Sequence, residues 1–255
     1  MTNNPTKTKQ PSRLWEVDTL RGIAIVLMVF YHFMWDLNFL HLYSLDIFGL
    51  VWQSFARFIA TIFIFVLGVS LTLSYQRAHL HYSPGHILQK NIQRGGQIFG
   101  LGMIITIATY FFIGSNGFVI FGILHLLGFA VIFGYPFLRL NKWISLIIGL
   151  GMIGLGAYLN NVTSQSPWLI WLGIKQTGRG MVDYYPVLPW AGIALVGIFV
   201  GHSLYPNGLR QFNLFDDMSD HPLIKMLRFL GRHSLLIYLV HQPVFIVVLM
   251  VIGNY

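Results

Sequence analysis

Two ionisable residues, His32 and Asp36, lie four positions apart inside an apolar stretch of membrane-crossing length, residues 20–40. A spacing of four places both side chains on one face of a helix. Ionisable groups are costly in hydrocarbon, so such a pair indicates a functional site. A neutral imidazole can take a proton from an attacking hydroxyl or amine and return it to a leaving group. A carboxylate on its other nitrogen would fix the tautomer, so Asp36 could orient His32 as a base.

Further polar and aromatic residues fall within or beside other apolar stretches at a similar depth. They are Arg57, His125, Asp183, Trp190 and His241. In a bilayer, each ionisable side chain must face protein, water or a partner rather than lipid. Structural explanations stay open for some of them: Arg57 could neutralise Asp36, Asp183 could cap a helix, and His241 could bond a neighbouring helix.

Two other chemistries are open to the same residues. A proton relay in a transporter would also use an intramembrane His–Asp pair. A metal site would need three or four ligands, which could come from His32, Asp36, His125 and His241. The sequence holds no compact ligand motif such as His-Glu-x-x-His. We therefore expect no bound metal.

The composition is typical of a polytopic membrane protein. Of the 255 residues, 55% are apolar and 9% are charged, and the mean hydropathy is +0.65. Soluble domains carry about 25% charged residues. The net charge of +8 is not clustered on a soluble face, so we expect no nucleic-acid partner. The absence of cysteine excludes disulfides and thiol chemistry.

Seven apolar stretches are long enough, or nearly so, to cross a bilayer, which takes about 20 residues. They cover residues 20–40, 51–75, 95–113, 118–138, 143–159, 186–204 and 229–252. We predict an all-α polytopic membrane bundle of about seven transmembrane helices, forming one domain over residues 13–255. The polar residues 1–12 are expected to be a disordered cytoplasmic tail. Asp18 and Thr19 are expected to cap the first helix.

The distribution of lysine and arginine predicts the orientation, because these residues concentrate in cytoplasmic loops. With the N-terminus inside, the inner segments hold 13 basic residues and the outer segments hold 3. The N-terminus is therefore expected in the cytoplasm and the C-terminus outside. Two glycine-rich stretches, 95–102 and 149–156, are expected to allow close packing of helices.

Several short motifs are shared with a known family. They lie at residues 16–24, 31–33, 121–125, 188–192 and 231–243. These motifs resemble the bacterial branch of the heparan-α-glucosaminide N-acetyltransferase catalytic-domain family, which belongs to a wider group of multipass membrane acyltransferases. That group shares an Arg, ten residues and then a His on its first helix, as in Arg21 and His32. The resemblance extends over nearly the whole membrane region.

The resemblance implies transfer of an acyl group, typically acetyl, from cytoplasmic acyl-CoA to a hydroxyl or amine beyond the inner (plasma) membrane. In the animal branch the acceptor is a terminal glucosamine, so we expect an amino sugar, a polysaccharide or a similar acceptor. Bacterial relatives differ in acceptor, and its identity stays open. Assembly as a homodimer also stays open.

For an acyltransferase of this kind, the depth of the polar residues and the resemblance together predict roles for individual residues. His32 would be the general base, oriented by Asp36 and supported by His125. The acceptor would be bound by Arg57, Asp183, Trp190 and His241. The phosphates of acyl-CoA would be bound by Arg21, Arg94 and Arg232, since guanidinium groups suit bidentate phosphate contacts. In the animal branch the catalytic His follows the first helix, which makes His41 the alternative base.

Two functions other than acyl transfer stay open. A proton-coupled transporter or flippase could use the His–Asp pair to relay protons or bind a solute. Inverted repeats would favour it, and the sequence shows no clear repeat. A non-catalytic scaffold could keep the polar cluster for helix packing alone. For the acyltransferase, a ternary complex and an acyl-histidine intermediate are both open.

Overall fold

The computed structural model describes residues 14–115, 117–178, 180–211 and 218–252, so the predicted tail, 1–12, lies outside the described residues. The described chain forms eight α-helices: α1 Trp15–Phe39, α2 Leu50–Ala78, α3 Pro84–Ile113, α4 Ile123–Phe133, α5 Lys142–Leu159, α6 Val187–Leu204, α7 Pro222–Arg232 and α8 Ser234–Ile252. Short 3-10 turns lie at Pro136–Leu138, Pro167–Leu172 and Pro206–Gly208. Two short strands, β1 Thr163–Ser164 and β2 Lys175–Gln176, pair in parallel between α5 and α6.

Within the described residues, six helices are long and apolar enough to cross a membrane, namely α1, α2, α3, α5, α6 and α8. The predicted all-α polytopic membrane bundle is therefore confirmed. The orientation of the two termini stays a prediction.

The fourth predicted span differs from a simple helix. Its α-helical part, α4, has only 11 residues. The segment 118–138 nevertheless returns along α3, because the Val119 amide donates to Thr109 Oγ1 at 3.0 Å and the Tyr135 hydroxyl donates to the Pro84 carbonyl at 2.7 Å. Pro84 and Thr109 are about 37 Å apart along α3 at 1.5 Å per residue. The segment thus covers about one bilayer thickness, with its non-helical start buried in protein, as a membrane requires.

The first helix begins earlier than expected. It starts at Trp15, and no side chain caps it. The prediction that Asp18 and Thr19 cap the helix is therefore wrong: the Thr19 hydroxyl donates to the Trp15 carbonyl one turn back. Asp18 lies within the first turns, where its carboxylate is available to side chains of other elements.

Helix α6 forms the centre of the bundle, between α2 and α5, while α4 packs on α3. Helix α1 contacts α2, α7 and α8. The largest buried cluster includes Ile64, Leu126 and Ala191, from α2, α4 and α6. Helix α7 is separated from α8 by a break at His233, so the last predicted stretch contains two helices.

The glycine-rich stretches have mixed roles. Added Cβ atoms would collide with neighbouring helices at Gly95, Gly102, Gly149 and Gly156. They would meet open space at Gly96, Gly100, Gly151 and Gly154. The expected close packing thus holds for half of these positions, and at the other half no described residue packs against the glycine.

Candidate functional site

A cavity of about 850 Å³ lies between helices of the bundle. It is lined by residues of α1, α2, α3, α4 and α8, by α7 at its end, and by the loop before α6. Arg21 and His32 both line it from α1, and their eleven-residue separation corresponds to about 16 Å along the helix. We call the part around Arg21, Arg94 and Arg232 the basic end, and the part around His32 and Asp183 the reactive end.

The basic end is held together by Asp18, which is almost fully buried. Arg21 lies 3.2 Å from one carboxylate oxygen of Asp18, and Arg232 Nε donates to the other at 3.3 Å. Arg21 also donates to the hydroxyl of Ser70 at 2.6 Å. Two of the three expected cofactor-binding arginines, Arg21 and Arg232, are thus brought together by contacts between α1, α2 and the end of α7.

Glycines allow the close approach of α7 to α1. A Cβ on Gly22 would collide with the Leu227 carbonyl, and one on Gly231 would collide with the Asp18 carbonyl. The neighbouring Arg232 therefore reaches Asp18 only because Gly231 lacks a side chain.

Arg94 completes the basic end from α3. Unlike Arg21 and Arg232, it forms no ion pair with any described residue. Its side chain is exposed and lines the cavity, so its guanidinium group is available to an anionic ligand.

The orientation of His32 is set by the backbone. Its Nδ1 lies 2.9 Å from the Met28 carbonyl oxygen, so Nδ1 carries the proton and Nε2 has a free lone pair. The ring of Tyr31 packs edge-on against it, with centroids 5.4 Å apart. The Nε2 atom of a neutral histidine in this tautomer can accept a proton.

Asp36 and His241 lie beside His32 and are not among the residues that line the cavity. The rings of His241 and His32 are 4.8 Å apart, and His241 Nδ1 lies 2.7 Å from the Tyr238 carbonyl oxygen. Asp36 is buried and accepts a hydrogen bond from the Gln242 side chain. Among the described residues, neither Asp36 Oδ2 nor His241 Nε2 has a hydrogen-bond partner. The Met28 carbonyl therefore holds the Nδ1 atom of His32, and no hydrogen bond between Asp36 and His32 is found among the described residues.

His125 is buried in the wall between α3 and α4, away from the cavity lining. The Gly122 amide donates to its Nδ1 at 3.2 Å, and Nε2 lies 3.3 Å from the Thr106 hydroxyl. The ring also packs against Phe99 and Phe121. Both nitrogens are therefore satisfied, and His125 stabilises the start of α4.

Asp183 lines the reactive end from the loop before α6. Its Oδ2 accepts from the Ile123 amide at 3.0 Å, which places a carboxylate at the N-terminus of α4. Burial raises the pKa of Asp183 to about 6, although the Ile123 amide favours the charged form. The residue is thus both a cap for α4 and a carboxylate facing the cavity.

The remaining predicted residues lie around this lining rather than in it. Trp190 packs against Tyr185 with ring centroids 4.9 Å apart. Arg57 is exposed, bonds to Gln53 at 3.5 Å and forms no ion pair with Asp36. The alternative base His41 is exposed in the turn after α1, outside the cavity lining.

Three tyrosines in the cavity lining were not singled out from the sequence: Tyr31, Tyr185 and Tyr238. Their positions offered a signal, because each lies one to three residues from an ionisable residue that was singled out. Tyr31 precedes His32, Tyr185 follows Asp183, and Tyr238 is one turn before His241.

The fold and the cavity define a multi-pass membrane protein with a basic end and a reactive end inside its helix bundle. The sequence model of the heparan-alpha-glucosaminide N-acetyltransferase catalytic family matches residues 13–243. The chain belongs to this family, as its motifs predicted, and so to the membrane acetyltransferases. Comparison with curated proteins and with solved structures gave no match.

Proposed function

We propose that the protein transfers an acetyl group from cytoplasmic acetyl-CoA to a hydroxyl or amine of an extracytoplasmic glycan or similar acceptor. It would act in the cell inner (plasma) membrane. The observation that carries the proposal is one cavity with three arginines at one end and a histidine and a carboxylate at the other.

The basic end suits the phosphates of acyl-CoA. Arg94 would bind a phosphate directly, because it has no ion pair with a described residue. Arg21 and Arg232 would add guanidinium donors from the opposite wall, where Asp18 orients both. A phosphate bound here would leave the rest of the cavity for the pantetheine arm and the thioester.

The reactive end suits proton transfer from the acceptor. His32 Nε2 would remove the proton from the acceptor hydroxyl or amine as its oxygen or nitrogen attacks the thioester carbonyl carbon. The carbon–sulfur bond would then break, and the imidazolium would return the proton to the departing CoA thiolate. Asp183 would hold the acceptor, since its carboxylate accepts hydrogen bonds and attracts an ammonium group.

Acetyl-CoA binding and turnover by the detergent-solubilised protein test the proposal. His32→Gln is expected to lower turnover by about 10²- to 10⁴-fold, the usual contribution of a general base. His202→Gln is the matched control, because His202 also has Nδ1 at a backbone carbonyl, Ile198, but does not line the cavity. Arg94→Ala is expected to weaken acetyl-CoA binding by about 10- to 100-fold, as for a charge-assisted hydrogen bond.

Normal turnover by folded His32→Gln protein would exclude His32 as the base. In that case His41→Gln would test the alternative. If the wild-type protein binds no acetyl-CoA but carries a solute across vesicles, it is a transporter or flippase instead.

A further inference from the structure

Three tyrosines in the cavity lining have hydroxyl groups that no other described residue binds. The hydroxyls of Tyr31, Tyr185 and Tyr238 form no hydrogen bond with any residue in the described part of the chain, although the backbones of Tyr185 and Tyr238 do. Other tyrosines do: the hydroxyl of Tyr135 bonds to a carbonyl at 2.7 Å and that of Tyr184 at 2.8 Å. A tyrosine in a protein interior usually finds a hydrogen-bond partner, so unused phenols in a cavity point to a ligand.

Two of these phenols converge on Asp183 from different elements. Tyr185 comes from the loop before α6, and Tyr238 comes from α8. Tyr238 interacts electrostatically with both Asp183 and Tyr185. Burial and the adjacent Asp183 raise the pKa of Tyr185, so its hydroxyl keeps its proton and remains a donor.

The proposed reaction requires a donor at this place. When the acceptor attacks, the thioester carbonyl oxygen gains negative charge, which hydrogen-bond donors must stabilise. His32 Nε2 and the Asp183 carboxylate are acceptors and cannot serve. Arg21, Arg94 and Arg232 lie at the basic end, and Arg21 is about 16 Å from His32 along α1. Arg57 interacts electrostatically with Tyr185 but does not line the cavity.

We propose that the hydroxyls of Tyr185 and Tyr238 form the oxyanion hole, donating hydrogen bonds to the carbonyl oxygen of the thioester. This inference rests on the proposed function. The oxyanion forms as the acceptor adds to the carbonyl carbon, and it collapses when the carbon–sulfur bond breaks. The phenols remain protonated throughout, so the proton transfers through His32 are unchanged.

Kinetics of phenylalanine variants give the first test. Tyr238→Phe is expected to lower kcat by about 10²- to 10³-fold, the loss found for one oxyanion-hole donor, with little change in acetyl-CoA binding. Tyr185→Phe is expected to behave in the same way. The control is Tyr158→Phe, whose ring is exposed at the end of α5 and does not line the cavity.

A spectroscopic test separates hydrogen bonding from a general packing defect. Acetyl-CoA labelled with ¹³C at its carbonyl is bound to the His32→Gln protein, which retains the thioester intact. Hydrogen bonds from the phenols lower the frequency of the carbonyl stretch in the isotope-edited infrared spectrum. Adding Tyr238→Phe is expected to move the band back toward its frequency in free acetyl-CoA, whereas adding Tyr158→Phe leaves it in place.

The inference is overturned if both single variants retain kcat within about threefold of wild type, well short of the loss of a donor. It is also overturned if only the acceptor KM rises, because the phenols then bind the acceptor. The inference is likewise overturned if Tyr238→Phe leaves the frequency of the carbonyl band unchanged. These results leave the proposed function standing, which fails only if wild-type protein neither binds nor turns over acetyl-CoA.

Discussion

Replacing Asp183 by Asn is expected to stabilise the protein at neutral pH while impairing the proposed reaction. Burial raises the pKa of Asp183 from its ordinary 3.8 to about 6, and the Ile123 amide offsets only part of this effect. The folded protein therefore holds the proton more tightly than the unfolded chain does. Protonated Asp183 thus contributes stability that is fully present below pH 3.8, its pKa in the unfolded chain. That contribution is lost as the pH rises through about 6, its pKa in the folded protein.

The size of the effect follows from the two pKa values. Their difference corresponds to at most about 3 kcal/mol, and water in the cavity reduces it. Asparagine carries no charge to desolvate, and its amide oxygen can still accept from the Ile123 amide. The variant should therefore gain up to about 3 kcal/mol above pH 7, and this gain should shrink toward zero near pH 4.

Thermal unfolding in detergent between about pH 5 and pH 8 measures this difference. The control is Asp220→Asn, because the Asp220 carboxylate is almost fully exposed and carries no comparable burial cost. An Asp183→Asn protein less stable than wild type at pH 8, or a stability difference that does not change with pH, would show that burial does not raise the pKa of Asp183 as described. Turnover of the same variant should fall, because an amide attracts an ammonium acceptor less strongly than a carboxylate does.

Two further predictions follow from contacts of α1. Asp36→Asn should keep turnover within about tenfold of wild type, because a backbone carbonyl, not Asp36, orients His32. If Asp36 oriented His32 as in a catalytic triad, steady-state kinetics would instead show a loss of about 10⁴-fold. Gly231→Ala should weaken acetyl-CoA binding and cost roughly 1–3 kcal/mol of stability, because its Cβ would collide with the Asp18 carbonyl. Calorimetric binding of acetyl-CoA and thermal melting curves measure both effects. Gly151→Ala is the control, because its Cβ meets open space, and equal binding and stability of the two variants would contradict the prediction.

Much of the fold could be predicted from hydrophobic length alone. Apolar runs of about 20 residues have few alternatives to a membrane helix, because their backbone groups must bond internally. The segment 118–138 is harder to predict, since its first residues are not helical and pack against neighbouring elements. The length of an apolar run cannot show whether all of it is helical, because neighbouring residues of the protein can form the hydrogen bonds that its backbone would otherwise form within a helix.

The depth of polar residues was also informative. Arg21, Arg94 and Arg232 lie at one end of the cavity, while His32 and Asp183 lie at the other. These five residues come from four separate parts of the chain and share this space because an ionisable group in a membrane must avoid lipid, and the cavity is where the described bundle allows that. Their roles in the reaction stay predictions.

The partners of each polar group could not be predicted from residue type. His125 has the same side chain as His32, yet its two nitrogens are occupied by the Gly122 amide and the Thr106 hydroxyl. The spacing between His32 and Asp36 allows a contact, but the carbonyl one turn earlier, at Met28, holds the ring instead. Such choices depend on local backbone geometry and on which neighbouring helix approaches.

That approach in turn depends on residues that carry no chemistry. The carboxylate of Asp18 reaches Arg232 because Gly22 and Gly231 let α7 lie directly against α1. With larger side chains at those glycines, the same arginine would be present in the sequence but displaced from the basic end. The proposed acyl-CoA site therefore depends as much on two glycines as on three arginines.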